Sequence, residues 1–180
     1  MITRFLLTLV VSLLLTNTAL AQRDYLTPQE VDLVKEAQIL DKRIDVFIRA
    51  AERRVLVLNG SGSAAANAKQ LKKESERWGE LPTGSRPELI SDIARIVDAA
   101  IDNIDNVALQ DERNPLIGKS LRKLAASVTS IMGQLKPLSD QAKSESEIAS
   151  FEQLNEGAKS IFEAVGKLPP EVEKKAKNKN

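Results

Sequence analysis

A chain of 180 residues with 26 basic and 25 acidic side chains, but no histidine and no cysteine, leaves few kinds of chemistry open. It has no thiol nucleophile, Ser-His-Asp machinery, disulfide or haem-attaching cysteine, and none of the usual zinc or copper ligands; the expectation is a non-enzyme without cofactor or stoichiometric transition metal. Near-neutral charge gives no long-range pull on nucleic acid, and one Trp, one Tyr and four Phe are too few for a base-stacking platform.

Residues 1–21 read as a cleaved signal peptide. Arg4 supplies the positive start, Phe5 to Leu15 an apolar run, and Ala19-Leu20-Ala21 the small-x-small cleavage site. The run falls short of the roughly 20 apolar residues of a spanning helix, so no stable membrane insertion is expected after cleavage. Cleavage takes Arg4 away and leaves 25 charges of each sign on a chain beginning at Gln22. Its expected location is the periplasm or the exterior, and residues 22–168 have the length of one domain.

Thr27-Pro28-Gln29-Glu30 carries a helix start: Thr27 and Glu30 form a capping box, Pro28 suits the first helical position, and Leu26 with Val31 forms a staple. Leu33, Ala37, Leu40, Ile44, Phe47, Ala51, Val55 and Leu58 follow at spacings of three and four. The pattern predicts one unbroken helix from Pro28 to Leu58, a rod of roughly 46 Å, ended by Asn59-Gly60.

Gly60 to Ser63 is a joint, and Ala64 to Trp78 a short connector helix. Ser85-Arg86-Pro87-Glu88 repeats the capping-box pattern ahead of Ile90, Ile93, Val97, Ala100, Ile104 and Val107, a stripe widened by Ile96, Ile101 and Ala108. Asn114-Pro115 starts the next helix, with Leu121, Leu124, Val128, Ile131 and Leu135 inward and a stop at Lys136-Pro137. After a serine-rich loop, Ser144 with Glu147 starts the last, through Ile148, Phe151, Leu154, Ala158, Ile161, Val165 and Leu168. Pro169-Pro170 ends it, and residues 169–180 are expected as a flexible lysine-rich tail.

The predicted fold class is all-α: an up-and-down four-helix bundle with one additional short connector helix. The long link after the first helix permits a bundle crossing, so the first two main helices need not be antiparallel neighbours. Residues 86–112 hold seven acids and two bases, 116–138 four bases and no acid, and 145–168 five acids and two bases. Alternating sign predicts that the basic helix pairs with the two acidic ones.

Tyr25 to Glu30, with Ala37-Gln38, Asp41-Lys42-Arg43 and Ala51-Glu52-Arg53-Arg54, resembles the opening of a group of uncharacterised exported helical-bundle proteins of soil bacteria. The resemblance implies an exported, helical, bacterial protein and carries no activity.

Three clusters remain as candidates. Asp41, Asp45 and Glu52 stand among Lys42, Arg43, Arg49, Arg53 and Arg54, with Asp45 and Arg49 at i,i+4. Arg49, Arg53 and Arg54 suit an acidic partner or a phosphate; the plainer reading is a solvated face laced with ion pairs. Asp98, Asp102 and Asp105 line one helix face, either as oxygen ligands for a hard cation or, as the heptad frame implies, as an outward row. Trp78 is either an exposed anchor for a partner or a ring pinning the connector to the bundle. No catalytic, cofactor-binding or metal-binding residue is assigned; the partner-binding candidates are Arg49, Arg53, Arg54 and Trp78. The functional expectation is a non-catalytic protein–protein interaction or scaffolding module with an unidentified protein partner. The alternative is a small-molecule or metal-ion carrier with a cavity near Gly118, Gly133 or Gly157.

Overall fold

The computed structural model describes residues 24–60 and 75–170. The expected signal peptide, most of the connector and residues 171–180 lie outside them. Every regular element among the described residues is a helix: α1 (Pro28–Glu36), α2 (Leu40–Leu58), α3 (Arg86–Gln110), α4 (Pro115–Ser139) and α5 (Glu145–Gly166), with one helical turn at 75–78 at the end of the connector. None of these is long and apolar enough to cross a membrane.

The helix starts follow the local chemistry. Thr27 Oγ1 accepts from the Glu30 amide at 3.3 Å while Glu30 Oε2 accepts from the Thr27 amide at 2.9 Å. At α3, Glu88 Oε2 accepts from the Ser85 amide at 2.6 Å. Asn114 and Ser144 cap α4 and α5 through the amides of Leu116 and Glu147.

The single first helix does not form. The chain leaves the helix at Ala37 (φ −76°, ψ 80°) and re-enters it after Ile39. Arg43 Nε donates to the Ala37 carbonyl at 2.9 Å, satisfying an acceptor beside the break. The physical reason lies further along. In an unbroken helix Glu30 and Arg53 would stand roughly 35 Å apart, yet their side chains meet at 2.7 Å. The break folds α1 back along α2 so that this contact can close.

A second boundary also moves. α4 continues through Pro137 to Ser139, and the Asp140 amide still donates to the Lys136 carbonyl at 2.9 Å. Pro137 and Gly133 are both exposed, so the Gly133 carbonyl that loses its helical donor at Pro137 can be solvated instead.

One apolar cluster joins α2, α3, α4 and α5. The predicted stripes enter it almost complete: Ile44, Phe47 and Val55 from α2, Ile90, Val97 and Ile104 from α3, Leu124 and Ile131 from α4, and Phe151 and Ile161 from α5 are all buried. Ile148 is the departure, 44% exposed in the first turn of α5.

The helix neighbours differ from those the charges suggest. The largest interfaces are α3 with α5 and α2 with α3, followed by α2 with α4 and α4 with α5. The basic α4 therefore lies against α2 and α5, and its contact with acidic α3 is the slightest among the long helices. Acidic α3 and α5 pack side by side because their carboxylates point away from the seam: Asp102, Asp105, Glu152 and Glu156 are exposed. Where the helices touch, Arg86 Nε meets Glu147 Oε1 at 2.9 Å and Gln153 Nε2 donates to Asp98 Oδ2 at 2.7 Å. Exposed like charges cost a fraction of what apolar burial contributes, so burial decides the partner. α2 and α3 do run antiparallel, since Arg43 Nη1 reaches Asn103 at 3.1 Å and Arg54 Nε reaches Asp92 at 3.7 Å.

The helical glycines serve different ends. Gly157 is buried, and a Cβ there would press on Asp98 Oδ1 at 3.2 Å and Val97 Cγ1 at 3.3 Å, so it lets α3 and α5 approach rather than lining a cavity. Gly133 is exposed with nothing within 4 Å of such a Cβ. Gly133→Ala should therefore stabilise the fold by about 0.5–1 kcal/mol through helix propensity alone, read as a rise in the urea midpoint.

Candidate functional site

The densest chemistry in the described chain is a buried charge network centred on Glu30. Glu30, Arg53 and Arg54 are each at most 1% exposed, and Asp92 is 3% exposed. Glu30 is on α1, the arginines are on α2 and Asp92 is on α3. Arg54 grips Glu30 with both terminal nitrogens, Nη1 to Oε1 and Nη2 to Oε2, each at 2.9 Å. Arg53 Nη1 donates to the same Oε1 at 2.7 Å.

Other donors of the two guanidiniums go to backbone, while Arg54 Nε faces Asp92 Oδ2 at 3.7 Å, beyond hydrogen-bond reach. Arg54 reaches the carbonyls of Ala50 at 2.8 Å and Tyr25 at 2.6 Å. Arg53 Nη2 reaches those of Gly79 at 3.0 Å and Glu80 at 2.5 Å. Gly79 sits at φ +67°, where a side chain would be strained, and a Cβ would lie 2.9 Å from Gln29 Cδ. Two carboxylates and two guanidiniums balance, which is the condition for burying charge. The network ties residues 25–30, the 79–80 segment, α2 and α3 into one unit.

Of the four residues expected at a partner surface, Arg53 and Arg54 are therefore inside, neither on a solvated face nor open to an incoming anion. Trp78 is half-buried, with the Arg53 guanidinium carbon 5.7 Å from its ring centroid. Arg49 stays near the surface and donates to Glu52 Oε2 at 3.0 Å. The sequence marks Glu30 only as a capping residue; its second role depends on the fold-back of α1.

A second network joins α2 to α4. Lys119 Nζ meets Asp41 Oδ2 at 2.9 Å, and Lys123 Nζ meets Asp41 Oδ1 and Asp45 Oδ1, both at 2.7 Å. Hydrogen bonds from Lys123 and then Lys119 hold the Asp41 carboxyl below its ordinary value. Burial alone would lower Lys123, but its bonds to Asp41 and Asp45 outweigh that and leave it raised. The contribution of Asp41 is present above its unfolded value of about 3.9 and is lost as pH falls through its lower folded value; that of Lys123 is present below about 10.4 and is lost as pH rises through its higher one. The stability gap between the native chain and Lys123→Met should hence stay flat between about pH 5 and 9 and narrow at both extremes, measured as urea midpoints across pH.

Of the row Asp98, Asp102 and Asp105, the last two are exposed as the heptad frame implies, whereas half-buried Asp98 turns into the α3–α5 seam and accepts from Gln153 Nε2. Among the described residues no group of three or more carboxylates is placed to hold a metal ion. Below this row α3, α4 and α5 leave a groove of about 410 Å³ between Ile101, Ala108, Ile117 and Ala164, edged by Asp105 and Glu112. A second, of about 320 Å³, runs between α4 and α5 beside Gly133 and Phe151.

Comparison with protein-family models, curated proteins and solved structures finds no match to this chain.

Proposed function

We propose that this chain is an exported, non-catalytic protein–protein interaction or scaffolding module, built as a four-helix bundle whose chain direction alternates from helix to helix. In that reading α3 and α4 follow one another in sequence but sit across the bundle. One observation supports it above others. The strongest charged groups of the described interior, Glu30, Arg53, Arg54 and Asp92, are committed to one another and to backbone carbonyls, so their chemistry serves to hold a shape. What such a shape offers outside is charged helix faces and an apolar groove.

Cross-linking in intact cells, followed by mass spectrometry of what is joined to the chain, should identify a recurrent protein partner. The same native material should begin at Gln22; recovery of a cytosolic chain still carrying Met1 to Ala21 would remove the exported part of the reading.

A carrier role is the second reading, favoured by the grooves beside Gly133 and Ile101, whose volumes of about 320 and 410 Å³ fall in the range of ligand sites. It prevails if a small molecule co-purifies and raises the melting temperature while no protein is cross-linked.

A further inference from the structure

Resting on the interaction reading, we propose that the groove at the α3–α4–α5 end of the bundle binds a cationic amphipathic helix of a partner protein. Its floor is apolar, formed by Ile101, Ile104 and Ala108 from α3, Ile117 from α4, and Ile161 and Ala164 from α5. Leu109 stands beside it on α3, 86% exposed, the most exposed large apolar side chain of the described chain. Leu109 extends the apolar character of the groove onto its exposed flank, where a docked helix would cover it.

Charge selects the occupant. Asp105 and Glu112 form one edge, and exposed Asp102 continues it one turn further up α3. Lys167 is the single base on the lining. An acid-edged apolar groove suits a helix with apolar residues at i, i+3/i+4 and i+7 flanked by lysine or arginine, and disfavours an acidic one. The basic α4 face, where Lys119 and Lys123 are engaged by Asp41 and Asp45, offers no comparable edge.

The test uses the full secreted chain and a fluorescein-labelled helical peptide with leucines at those spacings and lysines beside them. Two control peptides carry glutamate for every lysine, or serine for every leucine. Fluorescence anisotropy should show saturable binding of the first peptide, weakened at least tenfold by raising salt from 50 to 500 mM, and at least tenfold weaker binding of both controls. Asp105→Lys with Glu112→Lys should weaken binding at least tenfold, and so should Ala164→Arg. Unchanged circular-dichroism melts establish that these variants fold; if Ala164→Arg does not, the exposed charge pair alone decides.

Equal binding by the acidic peptide, or no loss in the folded charge variant, overturns the proposal. So does tighter binding by a chain ending at Pro170, which would make the chain's own lysine-rich end the occupant, or loss of binding through self-association on sedimentation. In cells, a photo-cross-linker replacing Leu109 should capture the partner while one replacing Ser130 on α4 should not. A partner captured only from Ser130 sinks the groove and leaves the interaction reading standing, whereas no partner from any surface position sinks both.

Discussion

Glu30→Gln should destabilise the folded chain by about 3–5 kcal/mol, the largest effect expected of any single polar substitution in the described structure. The change keeps the shape and removes the one carboxylate that both buried guanidiniums share, leaving Arg54 with Asp92 Oδ2 at 3.7 Å from its Nε. An uncompensated guanidinium in the interior cannot shed its proton, so the penalty is carried in full. Glu52→Gln is the matched control. Its partner Arg49 is at a similar distance, 3.0 Å, but the two side chains are 38% and 41% exposed, and an exposed pair is worth about 0–1 kcal/mol. Urea unfolding followed by circular dichroism compares the two directly. Near-equal losses would mean that the Glu30 network opens to water in solution. The large value measures lost compensation and not the net worth of the network, because apolar residues of matching shape in place of all four charges, Glu30, Arg53, Arg54 and Asp92, could hold the fold equally well.

The contrast shows what the amino-acid order does and does not reveal. Apolar spacing reports on the face that a helix buries, and Ile44, Val97, Val128 and Leu154 are inside as their periods require. It is silent where a second element covers a face that the stripe leaves polar. Arg53 and Arg54 are adjacent in sequence, roughly 100° apart around α2, so one stripe cannot bury both; α1 and the 79–80 segment cover the remainder. The break between Glu36 and Leu40 carries no proline or glycine to announce it, and Ala37 fits the helical period. The signal in the sequence is Glu30 itself, a capping carboxylate one fold-back away from two neighbouring arginines beside an apolar stripe. Helix-by-helix charge places α4 correctly against α5 but wrongly against α3, for a related reason. Net charge counts carboxylates without regard to face, whereas Lys119 and Lys123 respond to Asp41 and Asp45 on α2, a helix with more bases than acids.

The frame of α3 can be tested at two adjacent positions. Ile104→Ala should cost about 2–5 kcal/mol, because Ile104 is 2% exposed within the common core and a deleted side chain leaves a cavity that its neighbours only partly fill. Asp105→Ala should stay within about 0.5 kcal/mol, since the carboxylate is exposed at the rim of the groove. Phe151→Ala and Glu152→Ala repeat the comparison on α5, the first buried and the second exposed. Urea midpoints of the four variants give the answer. A costly Asp105→Ala beside a silent Ile104→Ala would rotate α3, turn its carboxylates inward and favour the carrier reading. The expected order has a further use. If Asp105 contributes little to stability, any loss of peptide binding on changing it must arise at the groove, so one side chain separates what holds this protein together from what it holds.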